Sequence, residues 1–166
     1  MKTIDLLQAL SKSSVEFVLV GGMAVQLHGY NRMTYDIDLV LSMNDANLGR
    51  FIDIAKQFGL APVIPVSIDS LKNAELIDQW HREKGMLAFA LREPAVGGSV
   101  IDVLVRPDVS YDRLVADALN GQLFGCTVKI ASIEHLLEMK RIANRPKDLL
   151  DIAALEKIKL GEDPNV

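Results

Sequence analysis

The sequence predicts an α/β (α+β) domain: a central mixed β-sheet covered by helices, with further helices at the C-terminus. Two observations predict it. Short apolar runs, Val15 to Val20, Tyr35 to Leu41, Met86 to Leu91 and Val100 to Val105, recur along the chain at strand length. Between them lie segments with apolar residues every three or four positions, such as Leu48, Phe51, Ile52, Ala55 and Phe58, the period of a helix with one buried face. Strands mixed with helices imply a sheet with helical cover.

Taken in order, Ile4, Leu7 and Leu10 give an opening amphipathic helix that ends near residues 11–14. Val15 to Val20 reads as a strand, broken by Gly21-Gly22, after which Met23 to His28 starts a short helix. A polar loop over 29–34 leads into the strand Tyr35 to Leu41. Asn44 or Asp45 caps the next helix, and Gly59 stops it. Val63 to Val66 reads as a short strand between prolines, and residues 67–84 as a loosely helical, polar stretch. The weak apolar face of that stretch predicts a mobile cover over a binding site. Met86 to Leu91 and Val100 to Val105 are two strands joined through Gly97-Gly98, and 111–118 is a helix. Leu123 to Ile130 reads as one further strand, Ser132 caps a helix to about Asn144, and Pro146 opens the last helix, to about Leu160.

The chain has 166 residues, 49% hydrophobic and 24% charged, which fits one domain over 1–166 with a sizeable core. No apolar run approaches a membrane span, and the start, Met1-Lys2-Thr3-Ile4-Asp5, is unlike a signal peptide. The single cysteine, Cys126, excludes an internal disulfide and reads as a buried structural thiol, so a cytoplasmic location is expected. A net charge of −4 argues against a large nucleic-acid surface, although Lys140, Arg141, Arg145 and Lys147 form a local basic cluster.

Charges out of place carry the chemistry. Asp36 and Asp38 sit one residue apart in the apolar run Tyr35-Asp36-Ile37-Asp38-Leu39-Val40-Leu41. On a strand both would share one face. Buried like charges are costly unless a cation lies between them, and an all-oxygen set suits Mg2+ or Mn2+. Asp102, in Val100-Ile101-Asp102-Val103-Leu104-Val105, is a third acid on a strand. It either completes the cluster or marks an exposed face paired with Arg92 or Arg106. Metal and carboxylates together suggest phosphate chemistry. Gly21-Gly22 lies between a strand and a helix, where backbone amides can hold a phosphate, or where a tight turn alone is needed. Trp80 is either a base-stacking residue or a partly buried anchor. His28, His81 and His135 form no metal set by spacing.

Val20-Gly21-Gly22, a spacer of thirteen residues, then Asp36-Ile37-Asp38-Leu39 resembles the signature of the DNA polymerase β-type nucleotidyltransferase superfamily, with Asp102 at the place of its third acid. The wider pattern is Arg32-x-Thr34-x-Asp36-Ile37-Asp38, with Lys140 and Arg145-x-Lys147-Asp148-x-x-Asp151-Ile152. It is similar to the small bacterial and archaeal branch that includes the abortive-infection-type nucleotidyltransferase toxins. The resemblance spans about residues 15–155.

It implies a nucleotidyltransferase fold and Mg2+-dependent (or Mn2+-dependent) transfer of NMP from an NTP to a hydroxyl or phosphate on RNA (tRNA among them), protein or a small molecule. Asp36, Asp38 and Asp102 are the implied catalytic and metal-binding residues. Gly21, Gly22, Arg32, Thr34 and Lys140 are the implied nucleotide-binding residues. Arg32 has an alternative as a loop arginine paired with a surface acid, and Lys140 as a lysine snorkelling at the edge of the Ile133, Leu136, Leu137 stripe. Lys147 is expected to matter less than Lys140. Toxins of this branch are generally longer, so a substrate-recognition domain is expected either to be missing or to be supplied by a partner protein. The alternative function is a non-catalytic nucleotide-binding or regulatory half of a toxin–antitoxin pair.

Overall fold

The computed structural model describes residues 3–95 and 97–166; Met1 and Lys2, part of the stretch read against a signal peptide, lie outside them. The strands are β1 (Phe17–Val20), β2 (Ile37–Leu41), β3 (Ala61–Pro62), β4 (Ala88–Arg92), β5 (Val100–Leu104), β6 (Leu119–Leu123) and β7 (Cys126–Ile130). The helices are α1 (Thr3–Lys12), α2 (Gly21–Leu27), α3 (Asp45–Gln57), α4 (Ala74–Lys84), α5 (Tyr111–Asp117), α6 (Ile133–Ala143) and α7 (Leu149–Lys159). Together the strands make one mixed sheet in the order β3-β4-β5-β2-β1-β7-β6. β2 runs parallel to β5 and antiparallel to β1, and β1 runs parallel to β7. No helix among the described residues is long and apolar enough to cross a membrane.

Alternation divides the central strands into two different faces. Ile37, Leu39, Ile101, Val103, Phe89 and Leu91 lie in register on one face, and every one is fully buried. Asp38, Asp102, Ala90 and Ala88 lie on the other, which is only partly covered. The apolar face supplies the hydrophobic stabilisation. The opposite face is free to carry charge.

Several boundaries depart from the sequence reading. β2 begins at Ile37, so Asp36 precedes the strand rather than sharing its pleat. The strand expected over 63–66 lies earlier, at Ala61–Pro62, although the Val63 amide still bonds to the Ala90 carbonyl at 3.0 Å. The run read as one strand from Leu123 is a hairpin: Phe124 and Gly125, at φ 46° and 79°, turn β6 back onto β7. Positive φ at both central residues matches the twist of a tight hairpin. Cys126 is buried and free, as expected.

Residues 67–84 do not cover the cavity. They form a 3₁₀ turn (Ile68–Lys72) and α4, capped by Ser67 and Asn73. Ile68, Leu71 and Ile77 are buried in the core, and none of this segment lines the large cavity described below. The polar composition hid three well-spaced apolar anchors. Trp80 packs on Phe89, with ring centroids 6.4 Å apart, which supports its reading as an anchor. The histidines stay apart: the His28 Nε2 lies 2.8 Å from the Ala131 carbonyl and the His81 Nδ1 3.0 Å from the Met86 carbonyl.

Candidate active site

A cavity of about 520 Å³ opens between the charged face of the sheet and the α6–α7 region. All eight residues singled out from the sequence line it: Gly21, Gly22, Arg32, Thr34, Asp36, Asp38, Asp102 and Lys140. The topology explains the convergence. β2 and β5 are parallel neighbours, and Asp38 pairs in register with Asp102, so their backbones stand side by side at the strand spacing of about 5 Å, with both side chains on one face. On the other side of β2, Asp38 faces Val20, the last residue before Gly21. Ala90 lies beyond Asp102 and Ala88 beside Leu104, and these small side chains keep the face open.

The carboxylates repel one another. Burial, then the charges of Asp102 and Asp36, push the Asp38 carboxyl up to about 6, against the opposing pull of Lys140 and Arg145. Burial and the Asp36 charge likewise raise Asp102, with Lys147 acting the other way. Among the described residues, no hydrogen bond or ion pair is formed by the side chain of Asp36, Asp38 or Asp102. Arg106, one partner considered for Asp102, instead bonds Asp78 at 3.3 Å. Nor do any three His, Cys, Asp or Glu side chains among the described residues form a ready-made metal cage. The donor chemistry nevertheless fits a hard divalent ion: three carboxylates without hydrogen-bond partners among the described residues face one cavity, two of them, Asp38 and Asp102, raised first by burial and then by neighbouring carboxylate charge.

Gly21 has two reasons to be glycine. Its φ is 69°, in the left-handed region, and a Cβ there would fall on the Asp38 carboxylate. Gly22 has one: its Cβ would come 3.1 Å from the Arg32 guanidinium. The Gly-Gly turn is therefore packed directly against one acid and one cation. Gly21→Ala is expected to cost about 2 kcal/mol, from the left-handed backbone and the displaced carboxylate. Gly22→Val should fold, because only the tip of a long side chain must move. NTP affinity, measured by titration calorimetry, should fall ~10-fold; unchanged affinity would leave Gly22 with a turn role only.

In the wall of the cavity lies an ion network that sequence reasoning did not assign. Asp148 and Asp151 are only 2% and 3% exposed. Asp151 pairs with Arg32 and, at 2.8 Å, with Lys140; Asp148 holds Arg145 through Nε at 2.9 Å and lies 3.6 Å from Lys140. Burial works to raise the Asp148 carboxyl, but the Arg145 hydrogen bonds with the Lys140 and Arg145 charges hold it below its ordinary value. Lys140 is buried rather than snorkelling at a rim. Arg32 pairs with an acid, but not with the surface acid expected: its partner Asp151 is buried and lines the cavity. The repeated spacing Asp148-x-x-Asp151 in the last helical segment was the available signal; it puts both acids on one side of a helical turn.

A mixed sheet bearing carboxylates on two parallel central strands, beside a Gly-Gly turn, is the arrangement expected of a nucleotidyltransferase. Residues 5–165 match the family described as "Nucleotidyl transferase AbiEii toxin, Type IV TA system", and the chain belongs to that family. The fold is also that of solved nucleotidyltransferase structures. ANT(2")-Ia in complex with adenylyl-2"-tobramycin superposes with a TM-score of 0.59 at 15% identity, covering 94% of this chain and 86% of that one. An antigenic nucleotidyltransferase-like protein from Paracoccidioides brasiliensis superposes with a TM-score of 0.53 at 20% identity, covering 92% and 72%. Among curated proteins none matches the sequence.

Proposed function

We propose that the protein is a Mg2+- or Mn2+-dependent enzyme that transfers NMP from an NTP to a hydroxyl or phosphate of an acceptor, within a toxin–antitoxin system in the cytoplasm. The observation that carries this reading is the in-register pair Asp38 and Asp102 beside the Gly21-Gly22 turn. The acceptor oxygen attacks the α-phosphorus, the bond between that phosphorus and the bridging oxygen to the β-phosphate breaks, and pyrophosphate leaves. Asp36, Asp38 and Asp102 would hold the divalent ions, which when bound neutralise triphosphate charge and favour loss of the acceptor proton.

This chain's residues do the positioning. Amides at Gly21 and Gly22 face the phosphates, with Arg32 beside them as a charge already fixed by Asp151. Thr34 shapes the wall between Arg32 and Asp36. Lys140 places a partly desolvated positive charge behind Asp38. Asp102, its basicity raised by burial, stands nearest the incoming oxygen as proton acceptor.

The test is transfer from differently labelled NTPs. Protein, Mg2+, cell RNA and lysate are incubated with each NTP labelled at the α- or the γ-phosphate. Label from the α position should enter an acceptor, and label from the γ position should appear only in pyrophosphate. Transfer of γ-label would make the enzyme a kinase, and no transfer with any NTP would defeat the proposal.

A further inference from the structure

The two edges of the sheet are built differently. At one edge β3 is two residues long, and Pro62 and Pro65 deny that stretch backbone donors. At the other edge β6 has five residues, Leu119-Asn120-Gly121-Gln122-Leu123, and among the described residues its backbone pairs with no strand but β7. Edge strands are ordinarily guarded by charge, proline or a bulge. β6 has none of these. Residues 118–128 are uncharged, and the register with β7 runs unbroken from Leu119↔Ile130 to Leu123↔Cys126. Leu119 and, just past the strand, Phe124 are exposed. No β6 residue lines the cavity.

The hairpin fixes which backbone groups are left over. Leu123 and Cys126 flank a two-residue turn, so they form a hydrogen-bonded pair. In alternation, so do Gly121 with Val128 and Leu119 with Ile130. The N–H and C=O groups of Asn120 and Gln122 therefore point away from β7, along the open edge. Around Gly121 the strand is also nearly palindromic. Turned end for end about that glycine, Leu119 meets Leu123, Asn120 meets Gln122, and Gly121 meets itself. A two-fold axis requires such a self-match. We infer that β6 is a self-association edge: a second copy of this chain adds its own β6 antiparallel, centred on Gly121, and two sheets join into one. In this register the outward groups of Asn120 oppose those of the second copy's Gln122, and the reverse, which makes four backbone hydrogen bonds. Leu119 covers Leu123 of the other copy on one face, and the Asn and Gln amides meet on the other. Charge permits this partner. The chain carries −4, but the strip that meets is uncharged, so no like charges are opposed and a charged peptide would gain nothing there. Two five-residue strands bury less than the roughly 1,600 Å² of a standard interface, so the dimer is reversible and concentration-dependent. The inference stands apart from the transferase reading.

Sedimentation equilibrium, run up to about 1 mM protein, tests it. Wild type should convert reversibly from monomer to dimer as concentration rises. Gln122→Pro removes an outward donor and no bond to β7, so it should stay folded by its melting temperature and weaken dimerisation at least ~10-fold. Two double variants at the exposed positions 120 and 122 test the register. Asn120→Lys with Gln122→Lys sets lysines opposite lysines across the axis, and Asn120→Glu with Gln122→Glu sets glutamates opposite glutamates. Each should be monomeric alone, and an equimolar mixture of the two should form the heterodimer. A wild type that stays monomeric throughout overturns the inference. So does a dimer that survives either double variant, which would use another surface. A mixture that stays monomeric overturns it too, because residues 120 and 122 would then not face each other. If Gln122→Pro unfolds, the two double variants still decide.

Discussion

Asp38→Asn should severely reduce nucleotide transfer while raising the melting temperature of the metal-free protein. The two effects share one cause. Asp38 is held beside Asp102 by strand register, and its carboxyl is pushed up to about 6 by burial and by the Asp102 and Asp36 charges. The native carboxyl thus binds its proton more tightly than the unfolded one, whose ordinary value is 3.8. Between about pH 4 and 6 the native state carries the extra proton, so unfolding releases it. Stability from this group is highest below that window, falls as pH rises through it, and stays lowest at neutral pH. The penalty at neutral pH is about 2 kcal/mol after allowance for partial exposure, and a neutral asparagine removes it. That corresponds to roughly 4–8 °C in melting temperature for a chain of this size. Mg2+ or Mn2+ should give wild type a comparable rise at neutral pH by mass action, little rise near pH 4, and little in the mutant. Transfer should fall roughly a thousandfold, about 4 kcal/mol of lost charge stabilisation. Differential scanning calorimetry with and without metal, beside a transfer assay, checks both. An Asp38→Asn protein that melts lower, or responds to metal as wild type does, would remove the repulsion argument.

Lys140→Ala should destabilise the fold by about 3 kcal/mol, and this changes how a loss of activity in that variant must be read. From the sequence, Lys140 looked like a phosphate-binding lysine whose removal would leave stability almost untouched. In the structure its Nζ lies 2.8 Å from Asp151 and 3.6 Å from Asp148, and all three groups are buried. Removing one partner from a buried ionic cluster leaves uncompensated charge, a far larger cost than loss of a surface pair. Arg32 and Arg145 still contact the two acids, which keeps the cost near the lower end of the usual range. Urea denaturation at neutral pH measures it. NTP affinity should also drop, because the cation behind Asp38 is gone. A stable Lys140→Ala protein with weakened NTP binding would restore the simpler phosphate-lysine reading. The double variant Lys140→Met with Asp151→Leu should recover much of the stability and none of the activity.

The site was legible where a residue contradicts its surroundings. Aspartates inside strand-like runs, and glycines between a strand and a helix, stand out because burial and backbone geometry make them expensive without a purpose. The short-range patterns of α1, α3, α5 and α6 were equally legible, since a helical period and its caps are written within a dozen residues. Reading failed where the signal was short or diluted. The β6–β7 turn rests on Phe124-Gly125, and the apolar Phe124 joined two strands into one. In 67–84 the anchors Ile68, Leu71 and Ile77 were outnumbered by polar neighbours.

By itself, the sequence determined which residues carry charge or special backbone in the candidate site, together with the fold class and the family they mark. Those are properties of composition and of spacing along the chain. Only the tertiary structure decided which charges neutralise which. Asp38 meets Asp102 through a β2–β5 pairing that joins residues far apart in the chain. Arg32, in the loop before β2, meets Asp151 of α7, and Lys140 meets the same acid because α6 packs on α7. Coulomb energy depends on distance and burial, neither of which is fixed by position in the sequence. The same basic cluster therefore divides into a buried structural lysine, Lys140, and an exposed lysine facing the cavity, Lys147.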